Sequence, residues 1–263
     1  MSAQASASEL AGSASSSLSW RSSIRAERLG LMLLWLTGAT GALVFVDPSP
    51  YEAASIVTIL VFLVSGLTVR TALLPCAILL ILINIGYTAS ANALLDQKIV
   101  LIWVVSSWYL AVTALFFAAM LGTNTEARLA ALMRGYMIAG VIAALAGVAG
   151  YFRLVPGSAE LLLYDRARGT FKDPNVFGAF LVLPALLALQ MVVAGHLAQA
   201  ARGMVLLGLF AVAILLSFSR AAWGQFALTG AMMLALTFIT TPSANQRLRI
   251  VLIAMAGTAT MSP

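Results

Sequence analysis

The densest chemistry in this sequence runs from residue 166 to residue 178, Arg-Ala-Arg-Gly-Thr-Phe-Lys-Asp-Pro-Asn-Val-Phe-Gly. Three cations, Arg166, Arg168 and Lys172, lead into Asp173-Pro174, which reads as a helix start with Asp as N-cap and Pro at the first helical position. A helix N-terminus presents unpaired amides and the positive end of the helix dipole, so cations beside it suit an anion, phosphate above all. Gly169 would let backbone approach such a ligand closely. A second constellation, Ser217-Phe-Ser-Arg-Ala-Ala-Trp223, sets Arg220 in a connection so short that the flanking helices must be antiparallel neighbours, with Ser219 as N-cap of the second. Two arginines, each beside a helix N-terminus, are the pattern expected of a pocket for a lipid-linked diphosphate. The competing role for Arg166, Arg168 and Lys172 is pairing with Asp165, Asp173 and lipid headgroups, and for Arg220 interfacial anchoring. Lys98 and Arg153 are assigned to that structural role.

Other chemistries find little support. His196 is the one histidine and falls in a short connection beside Arg202, on the opposite face from the cation cluster. No His, Cys or carboxylate group has metal-ligand spacing, so neither a metal nor a cofactor is expected. Cys76 has no cysteine partner and reads as a small core residue. Asp165 and Glu160 suit salt bridging better than proton transfer. Gly122-Thr-Asn-Thr-Glu126 reads as a turn into a short amphipathic segment and does not match a phosphate loop.

The elements that position these residues are membrane helices. Of 263 residues 62% are hydrophobic and 9% charged, with a mean hydropathy of +1.00, whereas soluble domains carry about 25% charged residues. The fold class expected is all-α, a polytopic integral membrane bundle, because apolar runs near 20 residues recur and lack barrel-type alternation. Eight full spans and the start of a ninth are drawn near 29–46, 53–69, 72–91, 99–121, 136–152, 176–195, 203–218, 221–239 and 248–263. Residues 1–28 form a Ser/Ala-rich tail ending in Arg21, Arg25 and Arg28, too poor in apolar residues to fold alone. With a cytoplasmic N-terminus, nine Lys and Arg fall in inner connections and six in outer ones. Four of those six, Arg153, Arg166, Arg168 and Lys172, share the 153–175 loop; without it the count is nine against two, a positive-inside distribution. The net charge of +6 is thus topology plus one cluster and forms no nucleic-acid stripe. Gly140 with Ala144 and Ala143 with Gly147 predict close helix packing, while Asn84, Gln190 and Gln225 read as hydrogen-bond partners between helices.

The residues in hand resemble the O-antigen ligase and O-antigen polymerase family of bacterial membrane glycosyltransferases. Residues 166–178 look like its Arg-x-x-Gly-x-Phe-x-x-Pro-Asn motif, and Ser219-Arg-Ala-Ala-Trp223 is similar to its Ser-Arg-Gly-x-Trp turn, with Ala221 where glycine is usual. The resemblance implies a protein of the bacterial inner membrane working at its periplasmic face, moving a glycan from undecaprenyl diphosphate to a hydroxyl of lipid A core or another glycan acceptor. It implies diphosphate binding by Arg166 and Arg220, with Arg168 and Lys172 in support. Gly169, Phe171, Asp173, Pro174 and Asn175 would shape the motif. A polymerase, a lipid-linked glycan transporter and a non-catalytic membrane subunit are the alternatives. Family members continue into a large periplasmic loop carrying a histidine base. This sequence stops before any such loop, so a fragment with weak or no activity alone is expected.

Overall fold

The computed structural model describes residues 26–45, 48–92 and 98–259. Among them are nine α-helices: α1 (residues 26–40), α2 (Pro50–Val64), α3 (Leu74–Ala91), α4 (Lys98–Met120), α5 (Thr125–Tyr151), α6 (Pro174–Ala194), α7 (Leu197–Leu216), α8 (Arg220–Thr240) and α9 (Ala244–Ala259). A 3₁₀ turn, Thr71–Leu73, leads into α3. Six helices, Thr71–Ala91 and α4 to α8, are long and apolar enough to cross a membrane. The protein is therefore an all-α, multi-pass membrane protein. Helices suit such runs because they satisfy every backbone group within the segment, with no water in the hydrocarbon to do so.

Six full-length spans stand among the described residues where eight were drawn, and several boundaries shift. The first ends at residue 40, six residues earlier than drawn, which leaves α1 with 15 residues. The second forms α2, whose 15 residues reach only about 22 Å at ~1.5 Å per residue, short of a ~30 Å core. The fifth begins 11 residues earlier than drawn, because the amphipathic segment after residue 124 is continuous with α5. The seventh begins at Leu197, since His196 is the N-cap residue of α7. The tail falls outside the described residues up to residue 25, whereas residues 26–28 are helical.

The chain divides into two compact units. The first comprises α1, most of α2, α3, α4 and the start of α5. Polar contacts in it are few and specific: the Thr37 and Thr58 hydroxyls lie 2.8 Å apart, Ser55 and Tyr109 hydroxyls bond each other, and Trp108 Nε1 donates to Thr88 Oγ1 at 3.1 Å. Arg128 forks onto Glu27, Nε to Oε1 at 3.1 Å and Nη2 to Oε2 at 2.9 Å, and its guanidinium lies over the Phe62 ring. Asn124 Nδ2 also donates to Glu27. This is why α5 can start so early: its polar first turns have partners at the head of α1. Cys76, read as a core residue, is instead exposed on α3. Asn84, expected to bond between helices, donates to the Leu80 carbonyl of its own helix.

The second unit holds residues 39–51, the remainder of α5, and α6 to α9. Helix α6 is its centre, with Phe177, Leu181, Pro184, Ala185, Ala188 and Val192 buried at helical spacing. Ala139, Ala143 and Ala144 of α5 are fully buried in the same core. Their small neighbours permit the close approach: a Cβ on Gly140 would lie 2.8 Å from Pro184 Cγ, and one on Gly147 2.5 Å from Phe177 Cζ. Pro184 has no amide for the Phe180 carbonyl, and Tyr136 Oη donates to that carbonyl at 2.9 Å. Gln190 and Gln225, expected between helices, are exposed.

Gly147→Val should lower the thermal midpoint of the purified protein, by an overpacking cost of about 1–3 kcal/mol. Gly86→Ala, which meets nothing within 4 Å, should leave it unchanged or raise it. The Glu27 carboxyl is held below its ordinary pKa, chiefly by the hydrogen bond from Arg128. Its contribution is therefore present above the unfolded carboxyl's pKa and lost as pH falls through the depressed folded value. The midpoint difference between wild type and Glu27→Gln should be present at neutral pH and vanish in acid, as read by melting both across pH.

Candidate anion site

The connection from α5 to α6 is built on a small hairpin that the sequence did not announce. A 3₁₀ turn, Ser158–Leu161, leads into β1 (Leu162–Leu163), which pairs antiparallel with β2 (Arg166–Ala167), Leu163 opposite Arg166. Tyr164 and Asp165 form the two-residue turn, with φ of 52° and 58°. Such a turn needs positive φ at both centres and usually takes Asn and Gly. Left-handed backbone costs a non-glycine residue roughly 1–2 kcal/mol. Arg168 and Gly169 amides then both donate to the Leu161 carbonyl, at 3.0 and 3.2 Å.

From there the chain turns inward. Ala167, Gly169, Thr170 and Phe171 are all buried. Phe171 packs its ring against Phe180 and Phe177, with centroids 4.8 and 6.1 Å away. Gly169 has φ of +54°, and a Cβ there would sit 2.8 Å from the Ala143 carbonyl oxygen and from Phe177. The glycine thus serves close packing of the protein on itself.

Asp173 caps α6, its Oδ1 accepting from the Asn175 amide at 2.7 Å, and Pro174 occupies the first turn. Helix α6 packs its second turn directly on the α7–α8 connection: a Cβ on Gly178 would lie 2.7 Å from Ser217 Oγ and 2.8 Å from Ala222 Cβ. That connection is bonded throughout. Ser217 Oγ donates to the Ile214 carbonyl at 2.6 Å, Trp223 Nε1 donates to the same carbonyl at 2.9 Å, and Ser219 Oγ accepts from the Ala222 amide at 3.3 Å, capping α8.

Arg166 ties these pieces together. Its Nε donates to the Ser217 carbonyl at 2.8 Å, and its Nη2 donates to Asn175 Oδ1 at 2.9 Å. One side chain thereby joins the hairpin, the first turn of α6 and the turn before α8. Ser217 ends α7, where carbonyls lack helical partners and the dipole is negative, so a guanidinium is well matched to it. The Nη1 nitrogen of Arg166 makes no hydrogen bond among the described residues.

The other cations diverge. Arg168 directs Nε and Nη2 back to the Glu160 carbonyl, at 3.1 and 2.9 Å, and Lys172 is exposed. Arg220 is exposed at the first position of α8. Among the described residues its guanidinium has no partner, and neither do the amides of Arg220 and Ala221. The two helix starts therefore differ electrostatically. At α6 the Asp173 carboxylate already occupies the amide end and repels an anion, whereas at α8 only a neutral serine caps, leaving two amides and a cation open to one.

Sequence reasoning missed the Ser217 carbonyl, an acceptor 51 residues from Arg166, and no residue type marks a backbone oxygen in advance. Among the described residues no three His, Cys, Asp or Glu side chains gather at one place. Fold and site together define a multi-pass helical membrane protein with an arginine-centred junction at the start of α6 and α8. Comparison with protein-family models, curated proteins and solved structures gives no match to this chain.

Arg166→Ala should loosen the junction. Hydrogen bonds to a charged group contribute roughly 1.5–3 kcal/mol, so amide exchange should accelerate in residues 162–167 and 217–219 and remain unchanged in α3 and α4.

Proposed function

We propose that this protein is the membrane body of an O-antigen ligase-like glycosyltransferase, binding undecaprenyl diphosphate-linked glycan at the periplasmic face of a bacterial inner membrane, with its N-terminus in the cytoplasm. The observation that carries this reading is the Arg166 contact with Asn175 and the Ser217 carbonyl, which brings the two stretches behind the family resemblance against each other. Two sequence motifs that meet through one side chain are more readily explained by a common task than by separate anchoring.

In this reading Arg220 and the first amides of α8 receive the diphosphate, and Arg166 positions them while turning Nη1 toward the same anion. Arg168 and Lys172 contribute positive potential. During transfer the acceptor oxygen, on lipid A core or a similar glycan, forms a bond to the anomeric carbon and gives its proton to periplasmic water. The bond from that carbon to the diphosphate oxygen breaks, and the electron pair departs with the diphosphate. Charge grows on the leaving group, so fixed donors aimed at it stabilise the transition state more than the ground state. Neither a nucleotide sugar nor a metal enters this scheme.

The test is binding of a short prenyl diphosphate, with the matching monophosphate as control, to the purified chain in detergent. Arg220→Ala should weaken diphosphate binding about tenfold or more and leave the thermal midpoint unchanged, because its side chain holds nothing else. Arg166→Ala should lower both affinity and midpoint. Equal diphosphate affinity in wild type and Arg220→Ala would contradict the proposal.

A further inference from the structure

A second feature of the α5–α6 connection is a cleft between the end of α5 and the hairpin that carries Arg166. Arg153, Val155, Leu162, Tyr164 and Asp165 line an open cleft of about 620 Å³. It has two charged walls of opposite sign, and they do not neutralise each other: Arg153 and Asp165 form no ion pair, and neither side chain has a hydrogen-bond partner among the described residues. A cleft lined by both charges, with neither taken up by the protein, is complementary to a ligand carrying both charges.

The backbone sets the shape of the cleft. Arg153 at φ 56° closes α5, with the Arg153 and Leu154 amides returning to the Gly150 and Ala149 carbonyls, and Tyr164 at 52° and Asp165 at 58° make the hairpin turn opposite it. The cleft also lies just beyond the last turn of α5, where a membrane-crossing helix leaves hydrocarbon. Phe152, Leu154 and Val155 beside it expose large apolar surface, and Tyr164 at the hairpin tip is 86% exposed. Aromatic and apolar side chains of this kind are at home between headgroups and acyl chains.

We infer that this cleft binds the headgroup of a zwitterionic aminophospholipid, Arg153 taking the phosphate and Asp165 the ammonium, with the apolar residues after α5 against the acyl chains. Arg153 thereby has a role beyond the interfacial anchoring first assigned to it. None of the cations assigned to the diphosphate lines the cleft, although cleft and diphosphate site share the hairpin.

The purified full chain in detergent is titrated with short-chain phosphatidylethanolamine, short-chain phosphatidylglycerol and water-soluble glycerophosphoethanolamine, and binding is read by native mass spectrometry. Phosphatidylethanolamine should bind at least fivefold more tightly than phosphatidylglycerol, which has the phosphate without the amine. The soluble headgroup should bind more weakly than its lipid. Arg153→Gly accepts the left-handed backbone and should weaken both lipids about tenfold. Asp165→Asn, also tolerant of positive φ, should erase the preference for phosphatidylethanolamine while retaining phosphatidylglycerol. Neither variant should lower the lipid-free thermal midpoint. Equal binding of the two lipids by wild type, a preference that survives Asp165→Asn, or a soluble headgroup that binds as well as the lipid would overturn the inference.

Discussion

The candidate site depends on one guanidinium. Arg166 places Nε on the Ser217 carbonyl and Nη2 on Asn175 Oδ1. Ser217 is fully buried, and Asn175 sits in the first turn of α6 with its backbone amide on Asp173 Oδ1. A planar fork reaches both acceptors at once, which the point charge of a lysine at the same position would not match. Without this contact the hairpin, the start of α6 and the turn into α8 would share packing but no directional bond at their meeting point.

The rest of the second unit makes that contact possible. Alanines and glycines on α5 let α6 come close enough for Phe177 to fill the groove at Gly147, and Gly178 lets α6 rest on the Ser217 turn. Gly169 then drops the chain between the Ala143 carbonyl and Phe177, so the segment after Arg166 cannot swing away without losing core burial. Even Pro184 is accommodated, since Tyr136 takes the carbonyl that the proline cannot serve. Packing through small residues sets the distances, and a few hydrogen bonds to otherwise orphaned carbonyls set the orientation. That division suits a membrane interior, where apolar surface facing lipid gains nothing from burial against another helix.

Much of this was legible in the residues. Asp173-Pro174 and Ser219 announce helix starts by cap chemistry, the small-residue spacing of α5 announces its packing face, and apolar length announces the membrane. What was hidden has physical reasons. Tyr164-Asp165 makes a tight turn without the Asn or Gly that would signal it. The early start of α5 depends on Glu27, whose distance in sequence conceals its pairing with Arg128. Asn84 gives its Nδ2 to the Leu80 carbonyl of its own helix and leaves Oδ1 buried without a partner among the described residues, which residue type alone does not foretell. The inequality of the two helix starts follows from cap identity, an acid at α6 against a hydroxyl at α8, and could have been read from residues 173 and 219.

The central claim is that Arg166 assembles an anion site whose open donors are Arg220, the first amides of α8 and its own Nη1. The most direct measurement is nitrogen–phosphorus dipolar coupling by solid-state NMR, on protein with ¹⁵N-labelled arginine reconstituted with a prenyl diphosphate. The account predicts coupling from phosphorus to two guanidinium groups, one lost in Arg220→Ala and the other in Arg166→Ala. Coupling that survives in both variants, or none in wild type at saturating ligand, would contradict it.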